Sequence, residues 1–91
     1  MPQNEDSEIT GYCVVMTTTA TDEEAKMLAR LLVEQQLAAC VQRQPIHSTY
    51  SWEGSLCDEP ETLLLIKTEN SQYEAVAACI HAHHSYTVPE I

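Results

Sequence analysis

The chain has 91 residues and a mass of 10.2 kDa, and 44% of its residues are hydrophobic, which suits one globular domain, predicted over 10–91, rather than a disordered chain. Its 14 Asp and Glu residues against 4 Lys and Arg give a net charge of -10. This charge argues against nucleic acid and anionic membrane as partners, because phosphate binding needs clustered basic side chains.

The N-terminal segment 1–9 is polar and acidic, and it has neither the basic start nor the apolar stretch of a signal peptide. We expect this segment to be disordered. Four cysteines stand far apart with no C-x-x-C pair, which argues against zinc-ribbon and thioredoxin motifs and against a disulfide framework. These features predict a cytoplasmic protein with no membrane span.

The first predicted strand is 12–19 (YCVVMTTT), a β-branched run without helical periodicity. Thr21 follows as an N-cap, and Glu24 three residues later completes a capping box. Apolar residues then recur every three or four positions, which predicts a helix from about Asp22 to Leu37. Residues 38–41 lead into a second extended segment.

The middle of the chain predicts a hairpin of two strands. Pro45 interrupts the second extended segment, and 47–53 alternates polar with aromatic residues as a half-buried strand does. Gly54 ends that strand. We expect the acidic stretch 58–61 (DEPE) to form a loop, after which 62–68 (TLLLIKT) returns as the next strand.

A second capping-box signature, Ser71 with Glu74, predicts a second helix that ends near His84. An extended segment follows from Tyr86 to Ile91. The order is therefore βαββα(β), which predicts an α+β fold of the ferredoxin-like plan. In that plan an antiparallel sheet carries both helices on one face.

The predicted strands are apolar on both sides. Segments 13–16 (CVVM) and 63–66 (LLLI) contain no polar residue, whereas a sheet with one wet face should alternate apolar and polar side chains. We therefore predict that the chain self-associates and that another copy covers the second sheet face.

The chain resembles the CutA family of divalent-cation-tolerance proteins from about residue 14 to residue 91. The resemblance rests on the first strand and on five motifs in order, TATDEE, LAACV, YSWEG, LLIKT and HSYTVPEI, at 19–24, 37–41, 50–54, 64–68 and 84–91. It implies a homotrimer of ferredoxin-like subunits, related in architecture to PII signalling proteins, that binds copper or other divalent metal ions and takes part in the response to metal ions. It also implies that the family's C-terminal strand and helix are missing here.

Three local departures from the family pattern stand out. Ser85 follows the histidine at the end of the second helix, where the family usually has proline. Thr18 occupies the position at which some members place a cysteine ligand for copper. The segment 41–47 (VQRQPIH) is shorter and more polar than the family's apolar stretch.

His83 and His84 are the candidate metal ligands, because imidazole binds copper and zinc and the resemblance maps the family's paired histidines onto them. Adjacent helical residues point about 100° apart, so one metal ion would need further ligands from another segment or subunit. Cys79 lies one helical turn before His83 and is a second candidate partner. The alternative is that these histidines only interact favourably with the negative end of the helix dipole.

A second group of residues at strand ends and turns could meet in a cleft between subunits: Tyr50, Trp52, Glu53, Lys67, Tyr86 and Glu90. Lys67 suits a carboxylate partner such as Glu61 or Glu90, either as an ion pair or as an anion site. The chain has no G-x-S-x-G motif, no glycine-rich phosphate loop and no H-E-x-x-H motif, so we do not expect an enzyme. The alternative function is a PII-like signalling or structural scaffold that binds a protein partner or small ligand.

Overall fold

The computed structural model describes residues 11–86 and 89–91. The predicted disorder at 1–9 lies outside these residues, and the domain start at residue 10 stays a prediction. The described elements, in chain order, are β1 (Tyr12–Thr19), α1 (Asp22–Glu34), β2 (Cys40–Trp52), β3 (Ser55–Glu69), a short 3₁₀ helix (Asn70–Gln72) and α2 (Tyr73–His83).

The three strands form an antiparallel sheet in the order β1-β3-β2, and both helices pack on one face of it. The core lies between the helices and the sheet and consists of Val15, Ala25, Leu28, Leu32, Ala38, Leu64, Ile66, Val76, Cys79 and Ile80. The predicted α+β plan is therefore confirmed. Among the described residues the sheet has three strands. The fourth strand, predicted in the extended segment from Tyr86 to Ile91, is not seen among them.

Helix α1 begins where the sequence predicts, because the Thr21 hydroxyl accepts a hydrogen bond from the Glu24 backbone N–H at 3.2 Å. The Glu24 side chain does not complete the capping box. Instead, its two oxygens bind Ser85. The helix ends at Glu34, earlier than predicted, because Gln36 has a φ of 60° and the helical path stops there.

The predicted loop at 58–61 is wrong, because these residues lie inside strand β3. The hairpin turns instead at Glu53 and Gly54, whose φ angles of 50° and 80° suit a two-residue turn that pairs Trp52 with Ser55. That turn fixes the register, and the acidic stretch must then continue the ladder. It is tolerated because residues 55–61 pair with β2 alone in the described sheet, so their other edge is free.

Pro45 does not divide β2, which is a continuous strand of 13 residues. The proline pairs with Thr62 across the ladder, and it is accommodated because β2 lies at the edge of the described sheet. The second predicted capping box is also wrong. The chain enters α2 through the 3₁₀ helix, Ser71 lies within that turn, and the N-cap residue Gln72 makes no side-chain capping bond.

The sheet face away from the helices is apolar and open in the single subunit. Side chains alternate along the strands, so Val15 on β1 is buried under the helices while its neighbours Val14 and Met16 are 55% and 56% exposed. Leu63 and Leu65 on β3 lie on the same face, opposite Thr18 and Met16, and are half-buried. The two-sided apolar strands inferred from the sequence are therefore present in the structure.

The N-cap of α1 gives a test of the fold. We expect Thr21→Ala to lower the free energy of unfolding by about 1 kcal/mol, because the Glu24 N–H loses its acceptor. Urea denaturation followed by circular dichroism measures the change. Thr21→Ser keeps the hydroxyl and serves as the control. Equal stability of the alanine and serine variants would show that the cap contributes nothing.

Candidate functional site

The two predicted metal ligands occupy different surroundings. His83 is the last residue of α2 and is exposed, whereas His84 leaves the helix in an extended conformation with φ -90° and ψ 143°. After this break in the backbone the two imidazoles bond different groups: His83 bonds the Cys79 carbonyl, and His84 bonds Thr18 and Tyr86. Among the described residues, no third His, Cys, Asp or Glu joins the two histidines to complete a metal site.

The His83 side chain forms a hydrogen bond with the backbone of its own helix. Its Nδ1 lies 2.9 Å from the Cys79 carbonyl oxygen, and since a carbonyl can only accept, Nδ1 donates. The Cys79 Sγ is 3.9 Å from the same nitrogen, so the predicted Cys79 and His83 pair does come together. Burial raises the pKa of the Cys79 thiol, which disfavours the thiolate that binds metals. The Nε2 atom of His83 is the nitrogen that this arrangement does not use.

The side chain of His84 is buried and links β1 to the turn after α2. Its side chain has 0% exposure, its Nε2 lies 2.6 Å from the Thr18 carbonyl oxygen, and its Nδ1 accepts the Tyr86 backbone N–H at 3.0 Å. The backbone N–H can only donate and the carbonyl can only accept, so these bonds fix the Nε2–H tautomer. Both ring nitrogens are therefore occupied, and a metal ion could bind His84 only by replacing one of these partners.

Glu24 holds the turn after α2. One of its carboxylate oxygens accepts the Ser85 backbone N–H at 2.7 Å, and the other accepts the Ser85 hydroxyl at 3.0 Å. The same carboxylate lies 3.6 Å from Nδ1 of His84. Ser85 stands where the resembled family usually has proline, and a proline could not donate this backbone bond. Local hydrogen bonds thus fix the turn that a proline ring would otherwise restrict.

Tyr86 joins this turn to the β2–β3 hairpin. Its hydroxyl donates to Glu61 at 2.9 Å, and its ring lies 4.7 Å from the His84 ring, measured between centroids. Burial, together with the bond and charge of Glu61, raises the pKa of the Tyr86 hydroxyl to about 12. Further along, the Thr17 hydroxyl donates to the Glu90 carbonyl at 2.5 Å. The segment after α2 is therefore anchored to the edge strand β1 through Thr17 and to the central strand β3 through Glu61.

The predicted cleft of aromatic and charged residues is only partly assembled in one subunit. Tyr86 meets Glu61, as described above, but Trp52 and Glu53 lie at the hairpin tip while Lys67 lies near the other end of β3. Twelve residues of extended strand separate them by about 40 Å. Lys67 makes no ion pair with Glu61 or Glu90 among the described residues, so the cleft and the Lys67 contact stay predictions for an assembly of subunits.

Over residues 11–86 and 89–91 no three His, Cys, Asp or Glu side chains are grouped closely enough to hold a metal ion. The described residues of a single subunit therefore do not fit a complete metal centre. The sequence pattern also did not reveal the role of Glu24. Its position in the capping box pointed to the backbone of α1, and nothing in the spacing indicated a bond to a residue 61 positions away.

No helix in the described part of the chain is long and apolar enough to cross a membrane.

Comparisons with known proteins agree with the resemblance noted in the sequence. Residues 13–91 match the family model described as CutA1 divalent ion tolerance protein. A chloroplastic CutA protein of Arabidopsis thaliana is 41% identical over 88 residues, which cover 96% of this chain and 48% of the relative. The divalent-cation tolerance protein CutA of Thermus thermophilus is 42% identical over 79 residues, covering 86% of this chain and 77% of the relative. The chain thus spans about half the length of the Arabidopsis relative.

Solved structures show the same similarity in three dimensions. CutA1 from Oryza sativa superimposes with a TM-score of 0.86 at 40% identity, over 92% of this chain and 78% of that one. The apo form of a protein from Nostoc, described as PII-like protein CutA, gives a TM-score of 0.80 at 38% identity, over 85% of this chain and 73% of that one. The fold is therefore that of the PII-like CutA structures.

The Tyr86 contact predicts an alkaline transition. The folded-state pKa of about 12 lies above the ordinary 10.0, so the stability that this tyrosine contributes is complete below about pH 10 and is lost as the pH rises through about 12. Tyrosinate absorbance during an alkaline titration should show a late-titrating group, which Tyr86→Phe removes. Glu61→Gln should move that group towards 10. An unchanged titration in Tyr86→Phe would contradict the assignment.

Proposed function

The chain belongs to the CutA1 divalent ion tolerance family, and on this basis we propose that it acts in divalent-cation tolerance as a homotrimer that binds copper or another divalent metal ion. The observation that carries the proposal is the family match over residues 13–91. Relatives that share 42% and 36% identity with it are named divalent-cation tolerance proteins. The acidic balance of 14 carboxylates against 4 basic residues also favours cations over anions as general partners.

The proposed role is binding rather than catalysis, and the proposed compartment is the cytoplasm. The cytoplasmic proposal is supported by the cysteines at 13, 40, 57 and 79, all of which are free thiols in the structure, as expected in a reducing environment. The proposal of a non-enzymatic role follows from the sequence, which carries none of the catalytic motifs considered above.

The proposed trimer is supported by the open face of the sheet. Val14 and Met16 leave more than half of their side-chain surface in water, next to the half-buried Leu63 and Leu65. A contiguous apolar surface of this kind is typical of a contact between subunits. The β2–β3 hairpin adds a second surface, because Trp52 and Leu56 near its tip are 64% and 81% exposed. Burial of both surfaces would stabilise a small domain considerably.

The geometry favours His83 as the ligand that meets the metal ion. Its Nε2 is the nitrogen left unused by the bond to Cys79, and its side chain is exposed. His84 instead fixes the backbone that presents His83, because its ring bonds Thr18 and Tyr86. One imidazole is too few ligands for a stable site, so the proposed site draws further ligands from other subunits of the trimer.

The alternative proposal is a PII-like scaffold that binds a protein partner or small ligand, with incidental metal binding. It is supported by the likeness to the Nostoc protein described as PII-like. The exposed aromatic tip of the hairpin also suits contact with a partner protein. Metal titration separates the two proposals, because the scaffold needs no histidine-dependent affinity.

Metal titration tests the histidine site. In calorimetric titration with Cu(II) and Zn(II), we expect His83→Ala to weaken binding about tenfold or more, because the exposed imidazole is lost. We expect His84→Ala mainly to lower the free energy of unfolding, by about 2 kcal/mol, because the Thr18 carbonyl loses its donor. His47→Ala, an exposed histidine on β2, is the control. Equal affinities in the wild type and in His83→Ala would remove this site from consideration.

Light scattering after size exclusion tests the trimer. The wild type should elute with the mass of three chains, whereas Met16→Glu should shift it towards one chain, because a charge is placed on the apolar sheet face. Met27→Glu is a matched control, since Met27 is 42% exposed but lies on α1. A folded wild-type monomer, or an equal effect of both variants, would contradict the proposed interface.

A further inference from the structure

The few basic residues of this acidic chain are concentrated in one place. A groove of about 1040 Å³ runs along α1, and three of the chain's four Lys and Arg residues line it, namely Lys26, Arg30 and Arg43. Among the described residues that line the groove, Glu34 is the one acidic residue, and His83, the proposed metal ligand, lies there as well. Lys67, the fourth basic residue, lies elsewhere. The local charge of the groove is therefore opposite to that of the whole molecule.

The basic side chains are available to a ligand. Lys26 forms no ion pair among the described residues. Arg30 lies 3.5 Å from Glu34, but both side chains are mostly exposed, so this pair is held weakly. Arg43 bonds Asp22 at 2.7 Å, which leaves a fork of further N–H donors on its guanidinium group. An incoming anion could therefore share or replace these surface contacts at little cost.

The groove also offers apolar surface between its charges. Met27 and Val33 on α1 are 42% and 43% exposed, and the half-buried Val41 on β2 lines the same groove. A simple inorganic ion would leave this surface in water. A ligand with both an anionic group and an apolar body would contact both kinds of surface, and the volume is large enough for an organic molecule.

We propose that the groove along α1 binds a small amphipathic anion, in which a carboxylate, sulfonate or phosphate group lies between Lys26, Arg30 and Arg43 and an apolar body packs on Met27 and Val33. Charge-assisted hydrogen bonds from guanidinium and ammonium groups orient the anionic group, and the apolar contacts add affinity. This site lies on the helix side of the sheet, away from the exposed Val14 and Met16, and it shares His83 with the proposed metal site but does not require a metal ion. It would give a protein with a net charge of -10 a ligand of its own sign.

A matched pair of fluorescent probes tests the proposal. 8-Anilinonaphthalene-1-sulfonate is anionic, and N-phenyl-1-naphthylamine is the same molecule without the sulfonate. We expect the sulfonate to bind the wild type at least about fivefold more tightly than the neutral probe, with an affinity that falls as salt is added. The triple variant Lys26→Gln/Arg30→Gln/Arg43→Gln should bind both probes equally. The variant Lys26→Arg/Arg30→Lys/Arg43→Lys keeps all three positive charges and is the charge-matched control, so it should still bind the sulfonate more tightly than the neutral probe.

The variants also separate this site from other surfaces. Equal sulfonate affinity in the triple glutamine variant and in the charge-keeping control would overturn the proposal, since binding would then occur on another apolar surface such as the sheet face. A lower oligomeric mass of the triple variant, with no loss of sulfonate affinity, would assign the groove to a subunit contact instead. If the triple variant fails to fold, Lys26→Gln alone removes one charge without breaking an ion pair among the described residues, and an unchanged sulfonate affinity in it would also overturn the proposal. Because no metal ion is added, failure here leaves the His83 proposal unaffected.

Discussion

The pairing of β3 on both of its edges is the constraint on which the rest of this structure depends. Residues 62–67 pair with β1 on one side and with β2 on the other, so the alternation of side chains along β3 decides which of them meet the helices. Thr62, Leu64, Ile66 and Thr68 are buried under α1 and α2, while Leu63 and Leu65 face the other way. A slip of one residue would exchange the two sets. The two-residue turn at Glu53 and Gly54 prevents this slip, because it fixes the pairing from Trp52 and Ser55 onwards.

The sheet also fixes the conformation of the turn that follows α2, because strands β1 and β3 supply the acceptors that this turn bonds. The carbonyl of Thr18 and the carboxylate of Glu61 are placed by β1 and β3, and they receive bonds from His84 and Tyr86. Glu24, at the start of α1, holds the residue between these two. His83 and His84 are adjacent in the sequence and suggest one metal site, but in the structure they have different roles. One imidazole is part of the interior of the protein, and the other is presented to solvent.

The elements that were predictable from the sequence are those with strong local signals. β1 begins and ends as its β-branched run indicates, and Thr21 caps α1. The acidic stretch 58–61 was mispredicted because local propensity favours a loop, whereas the register set by a turn several residues earlier keeps it in the strand. The surroundings of His84 could not be predicted at all, since its partner Thr18 lies 66 positions away. Local pattern carries no information about such long-range bonds.

The long hairpin has a consequence for how the subunit folds and moves. Residues 46–61 pair only with each other in the described sheet, and the molecule is correspondingly elongated, at 51 × 28 × 21 Å. A two-stranded ribbon without a third strand or a covering helix is marginal in water. Its amide protons should therefore exchange with solvent through local opening far more readily than those of β1 and the second half of β3. In the proposed trimer, much of the order of the hairpin would thus be gained during association, and folding would be coupled to assembly.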